Sequence, residues 1–210
     1  MQFINVISNN CAGAELYTRL KIQFNNPFMW TCVFADDMIN LITHFDNINW
    51  CKLSALFMDS QTAKSNNYIE YTELIPGLRI DNVFDIWFTH YKYDADVGTP
   101  IKNGPDVLYK KNWEYSTIKY LSRVKRMCNG KIRPCFLIIA YQRHGWDTNK
   151  VSKLLSIKSP YKICCITDTI DHYSSNSTTV IFEPNLHQPG KLGPGQIVEA
   201  HYDTLLQWIK

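Results

Sequence analysis

The chain has 210 residues, 45% hydrophobic and 20% charged, a balance that excludes a disordered chain and suits one domain spanning residues 1–210 around a single core. Its formal charge of +3 comes from lysines and arginines spread along the sequence, which speaks against a nucleic-acid partner. No stretch approaches the roughly 20 apolar residues that cross a bilayer, and the first ten residues lack the parts of a signal peptide, so a cytoplasmic protein without a membrane span is expected.

Phe3–Ile7 reads as a short buried strand that stops at the polar turn Ser8-Asn9-Asn10. A helix follows over Ala12–Lys21, with Ala12, Leu16 and Leu20 at helical spacing, Glu15 early, and Arg19 and Lys21 late, as the helix dipole prefers. Pro27 forces a turning segment. Asp36-Asp37 opens an amphipathic helix carrying Met38, Ile39, Leu41, Ile42 and Phe45, and the apolar stretch Trp50–Phe57 fits helix or strand. Gln61–Asn67 is polar and reads as a loop. Tyr68–Leu74 and Val83–Tyr91 alternate like strands on either side of a turn at Pro76-Gly77, which makes a hairpin.

Lys92–Pro105 carries Asp, Gly and Pro without periodicity and reads as a long surface loop. The longest helix is expected over Asp106–Cys128, with Trp113, Tyr120, Leu121, Val124 and Cys128 on one face and Gly130 closing it. Cys135–Ala140 and Lys162–Thr167 are solid apolar runs of the kind that form central strands, Thr148–Ser156 is helical, and Thr179–Phe182 is a last strand. A helix from about Gln196 to Lys210 ends the chain. Strands alternating with helices predict an α/β three-layer sandwich around a mostly parallel sheet, made mixed by the hairpin.

Seven cysteines, an odd number with several inside apolar runs, point to reduced thiols rather than a disulfide framework. Cys164 and Cys165 are adjacent in a strand and so face opposite ways. There is no CxxC and no His/Cys spacing suited to zinc, so no metal is expected. The absence of GxGxxG, GxxxxGK[ST], HExxH and GxSxG removes the usual parts of nucleotide, zincin and serine-hydrolase sites, and no cofactor is expected.

Cys11 lies between the first strand and the first helix, where unpaired backbone N–H groups and the positive end of the helix dipole favour a thiolate. The same donors suit an oxyanion, with Asn9 or Asn10 adding a side-chain amide. The plainer reading has Cys11 packed at a tight turn and the asparagines capping the helix. A thiol nucleophile needs a base. His90 is chosen because it ends a predicted central strand, and sites of open α/β sheets lie at the carboxyl ends of strands. Asp168, directly after Lys162–Thr167, shares that edge and could orient the imidazole, while His187 and Asp203 have less to recommend them. Arg123 and Arg126, three apart on the long helix, could clamp an anion or simply be solvated.

Several of these residues fall together in a recognisable order: Ile7-Ser8-Asn9-Asn10-Cys11, Asn26-Pro27-Phe28, Phe88-Thr89-His90-Tyr91-Lys92, Trp113 with Arg123 and Arg126, and Tyr202-Asp203 with Trp208-Ile209. In that order the chain resembles an uncharacterised bacterial family labelled exopolysaccharide biosynthesis proteins, which implies an α/β fold and an association with glycan synthesis. A second, less extensive likeness, to papain-like cysteine peptidases, implies thiol chemistry at Cys11 and His90. Ala12 stands where the first family has a bulky aromatic, and Lys92–Lys111 is longer than its pattern.

Three functions follow as expectations. The first is a Cys–His transferase or hydrolase acting on a glycan precursor or peptide-like substrate. In it Cys11 is nucleophile, His90 base and Asp168 orienter, with Asn9, Asn10, Tyr91, Arg123 and Arg126 binding the substrate. The second is a glycosyltransferase-like enzyme that uses no thiol and binds a sugar nucleotide. The third is a non-catalytic glycan- or protein-binding module. Oligomeric state is not legible in the sequence.

Overall fold

The computed structural model describes residues 5–22, 26–28, 31–58, 75–87, 118, 120–128, 133–169, 177–187 and 192–210. Strands β1 (Val6–Ser8), β5 (Cys135–Ile139), β6 (Lys162–Thr167) and β7 (Thr178–Phe182) form a four-stranded parallel sheet in the order β1-β5-β6-β7. A three-stranded antiparallel sheet of β2 (Leu53–Met58), β3 (Ile75–Ile80) and β4 (Phe84–Trp87) stands apart from it. The expected antiparallel hairpin thus forms a second sheet instead of making the main one mixed.

The parallel strands are apolar on both sides because both sides are covered. On one face Leu137, Ile139, Cys164 and Ile166 pack with helix α1 (Ala12–Leu20) and the terminal helices Pro194–Ala200 and Tyr202–Ile209. On the other, Phe136, Ile138, Ile163 and Cys165 meet helix α2 (Ala35–His44), helix Thr148–Ser156, the helical residues 120–128 and the small sheet. Helices on both faces of a parallel sheet give three layers. Cys164 and Cys165 do face opposite sides.

Local chemistry sets the elements. Asp147 caps Thr148–Ser156 by accepting from Lys150 N at 2.8 Å. Lys21, in the left-handed region at φ 53°, ends α1. In 120–128 the buried residues are Tyr120, Val124 and Met127, spaced four and three apart. Leu121 and Cys128, expected on that face, are exposed.

The hairpin departs furthest from expectation. Pro76-Gly77 is inside β3, paired with Phe57 and Leu56, and the turn is Asp81-Asn82, both at positive φ (49° and 57°) and closed by Val83 N donating to Ile80 O at 2.8 Å. Two positive-φ residues make the tight hairpin turn whose twist matches the strands, which Asp and Asn tolerate. Gly77 is read better as a packing residue than as a turn: a Cβ there would come within 2.6 Å of the Trp87 ring. The predicted strand Tyr68–Leu74, the loops over Gln61–Asn67 and Lys92–Pro105, and the first part of the Asp106–Cys128 helix lie outside the described residues. The expected last helix is two, broken at His201, which has φ −112° and ψ 18°. No described helix is long and apolar enough to cross a membrane.

Candidate functional site

Four strands running the same way bring four strand ends to one edge, and that carboxyl edge is where sites of open α/β sheets form. At the end of β1 the chain does not simply turn away. The Asn9 carboxamide lies beside β5 like one more strand residue, donating to Ile139 O and accepting from Ile139 N, both at 3.0 Å, while Asn9 O accepts from Val33 N at 2.9 Å. Asn9 is fully buried. Its side chain, expected to bind substrate, is occupied in pairing with β5, and its backbone carbonyl holds the approach to α2.

Asn10 takes the next step. Its Oδ1 accepts from Ala12 N at 2.9 Å, which caps the start of α1, and this fixes the amide so that Nδ2 points elsewhere. That Nδ2 is buried and has no hydrogen-bond partner among the described residues. A buried unpaired donor costs about 1–3 kcal/mol, so it is a place where a ligand oxygen would be gained at little expense. Cys11 follows as the N-cap of α1, half-buried, with its carbonyl accepting from Glu15 N at 3.0 Å. The helix can start this close to the strand because residue 13 is glycine; a Cβ there would fall 2.9 Å from Ser8 Cβ.

The other thiols are differently placed. Burial pushes Cys135 and Cys165 up to about 12, and Cys164 higher still, so these three stay protonated. Cys32 is buried, and Cys51 and Cys128 are exposed. Among the seven, Cys11 is the partly open thiol that stands at the carboxyl edge of the parallel sheet.

Past β5, β6 and β7 the same edge carries two imidazole–carboxylate pairs that span the fold. Asp168, directly after β6, has its Oδ1 3.2 Å from His187 Nε2, close enough for an ion pair but without hydrogen-bond alignment. The reading of Asp168 as the orienter of an imidazole thus meets an imidazole, and it is His187, which the sequence ranked low. Glu183, directly after β7, holds His201 Nε2 with Oε2 at 3.0 Å and Asn185 N with Oε1 at 3.1 Å. His201 sits at the break between the last two helices, so this pair ties that break to the sheet edge.

Tyr141 stands directly after Ala140 at the end of β5, on the same edge. Its hydroxyl donates to Leu192 O at 2.9 Å, and the Arg143 guanidinium lies 4.4 Å from its ring centre. Burial, with smaller contributions from the Cys11 thiol and the Glu183 carboxyl, raises the Tyr141 phenol, whereas Arg143 opposes the shift. The phenol stays a proton donor. Nearby His144 is buried against Phe34 and Tyr141, and burial with the Arg143 charge lowers it to about 3, so it is neutral at physiological pH and no base there. Neither Glu183, Tyr141 nor His201 carries a motif; distant pairing alone reveals them.

The helix end that follows Arg123 and Arg126 runs to the opposite edge, where Met127 and Cys128 border a cavity with Asn5 and Pro134. Arg126 Nη1 donates to Ser122 Oγ at 2.9 Å. The two arginines are therefore not gathered with Cys11. His90 and Tyr91 lie outside the described residues. Among the described residues no group of three His, Cys, Asp or Glu side chains could hold a metal ion.

Asp37, in the first turn of α2, carries the clearest pH signature. Its Oδ1 accepts from Asp85 N at 3.1 Å, and Asp85 grips Arg79 with two contacts of 2.8 Å. Burial first, then the Asp85 charge, push Asp37 up to about 7. A folded-state pKa above that of an unfolded aspartate makes the native state hold a proton the unfolded chain has released. The resulting stability is complete below about pH 4 and is lost as pH rises through about 7. Asp37→Asn keeps the acceptor and removes the titration. In urea unfolding its stability relative to wild type is expected to climb between pH 4 and pH 8; a difference that stays flat across that range contradicts the burial assigned here.

A family model described as a domain of unknown function (DUF1919) matches residues 1–102. That stretch includes β1, the Asn9-Asn10-Cys11 turn, α1, α2, the small sheet and His90, and it stops before β5, Asp168 and His187. No curated protein matches the chain.

Proposed function

We propose that the protein is a thiol-dependent transferase or hydrolase of glycan synthesis in the cytosol, acting on a glycan precursor or a peptide-like acyl group through Cys11. The observation that carries the reading is the turn itself: a half-buried thiol at the carboxyl edge of β1, preceded by a buried amide nitrogen with no acceptor among the described residues. His90 is the proposed base. Trp87 exchanges both backbone hydrogen bonds with Cys32, each at 2.8 Å, and Val33, the next residue, is bonded to Asn9. The chain therefore enters the segment leading to His90 beside the Cys11 turn, and three residues span at most about 11 Å.

In this reading the thiol gives its proton to the imidazole as Sγ bonds to the acyl or glycosyl carbon, and the leaving group departs with that proton. The oxygen that gains charge during acyl transfer is met by Asn10 Nδ2. Water, or an acceptor hydroxyl, then cleaves the thiol intermediate with the imidazole again taking a proton. The resemblance to exopolysaccharide biosynthesis proteins supports the substrate class, and the likeness to cysteine peptidases supports the thiol.

The test is covalent capture with p-nitrophenyl acetate, read by peptide mass spectrometry. Acetylation is expected on Cys11, slowed by at least about 100-fold in His90→Ala and absent in Cys11→Ala. Acetyl groups confined to Cys51 and Cys128 overturn the thiol assignment. Unchanged capture in His90→Ala with loss in His187→Ala overturns the base assignment alone. The two imidazole–carboxylate pairs favour a second reading, a transferase that works by acid–base chemistry and uses no thiol. It predicts thermal stabilisation by a nucleotide sugar that Cys11→Ala leaves intact.

A further inference from the structure

The opposite, amino-terminal edge of the parallel sheet carries an open cavity of about 310 Å³, at the lower end of the range for small-molecule sites. Its walls include Phe45 and Trp50 from one segment and Tyr161 from another, and Asn5, Asp46 and Arg133 stand among them. Phe45 is the centre of the aromatic group, with ring centres 5.1 Å from Trp50 and 5.2 Å from Tyr161. Phe45 and Trp50 are only half-buried, so ring surface remains open.

The polar groups have spare capacity. Tyr161, itself buried, donates its hydroxyl to Asp46 Oδ1, which leaves Oδ2 to accept from a ligand. Burial and the Asp46 bond push the Tyr161 phenol up to about 12, so it remains the proton donor in this pair. Asn5 is 4% exposed, and its Oδ1 accepts from Asn26 Nδ2 at 3.3 Å. Arg133 is exposed and forms no ion pair among the described residues.

We infer that this cavity binds a neutral sugar unit, at a site separate from the Cys11 edge. A pyranose offers an apolar C–H face to an aromatic ring and a rim of hydroxyls that both donate and accept. One carboxylate oxygen, one amide N–H pair and one guanidinium fork are the complement of that rim. A phosphate or nucleotide would meet the Asp46 charge, and a wholly apolar ligand would strip water from Asn5, Asp46 and Arg133 without replacing it. Strands of five residues separate the two edges by about 16 Å, so a sugar held here does not touch Cys11. The assignment is independent of the thiol reading.

The test is a titration of the full chain with maltose and with cellobiose, followed by tryptophan emission and by peptide-resolved hydrogen exchange. A saturable change is expected below about 50 mM, with protection at residues 45–50 and 160–161. Trp50→Ala and Asp46→Asn, the latter keeping the Tyr161 acceptor, should each weaken it at least about tenfold, and Cys11→Ser should leave it unchanged. No saturable change with either disaccharide overturns the inference. So does binding that survives both substitutions, and so does ADP binding at these peptides in their place.

Discussion

Asn9→Ala is expected to lower the unfolding free energy by about 2–4 kcal/mol, because it strands Ile139 N and Ile139 O in a fully buried position where each lost partner costs about 1–3 kcal/mol. For a chain of this size that corresponds to a fall in Tm of roughly 5–15 °C, read by circular dichroism. Asn9→Asp keeps the acceptor for Ile139 N but has no donor for Ile139 O and brings a charge into the interior, so it should be no better tolerated. The prediction separates two roles for one residue. An asparagine whose work is to bind substrate would lose affinity on substitution and leave the melting curve within about 0.5 kcal/mol of wild type. An asparagine that extends β1 by side-chain pairing must move the melting curve first, and carry the Cys11 turn with it.

The elements most legible in the sequence are those whose local signals agree. Lys162–Thr167 is a continuous apolar run and Thr148–Ser156 a helical stripe, and both form over the expected residues, while the apolar run Cys135–Ala140 gives a strand that ends one residue early, at Ile139. Pro76-Gly77 looks like a turn in the sequence, but the glycine is there to admit the Trp87 ring and Asp81-Asn82 makes the turn. His201 breaks the last helix with neither proline nor glycine nearby to announce it. What holds that break is Glu183, eighteen residues earlier and in another element. The candidate site divides in the same way. The position of Cys11 follows from one strand and one helix, and that of Asp168 from the end of one strand. The partnership of Asp168 with His187, the use of Asn9 as a strand residue and the bond from Tyr141 to Leu192 O depend on crossings that no window of sequence contains.

The same division explains why residues of one chemical type part company. Arg123 and Arg126 have helical spacing, a cue to a shared face, but only the tertiary fold decides which edge that helix reaches. Seven cysteines are alike in composition. In the folded chain, burial holds Cys135, Cys164 and Cys165 in the protonated state, and only a few positions leave a sulfur within reach of a substrate.

Cys11 alkylation by iodoacetamide at pH 6.5, resolved peptide by peptide alongside Cys51 and Cys128, carries the other large effect. The rate of thiol alkylation follows the thiolate fraction, and an exposed ordinary cysteine, with a reference pKa of about 8.5, has only about 1% thiolate at that pH. A helix N-terminus and a proton-accepting imidazole both raise that fraction, so Cys11 is expected to react at least about tenfold faster than either exposed thiol although it is less accessible. His90→Ala should lower the Cys11 rate toward that of Cys51, leaving only the contribution of the helix N-terminus. If Cys11 reacts no faster than Cys51 and Cys128 in the intact protein, the turn between β1 and α1 holds an ordinary packed thiol and the catalytic reading fails.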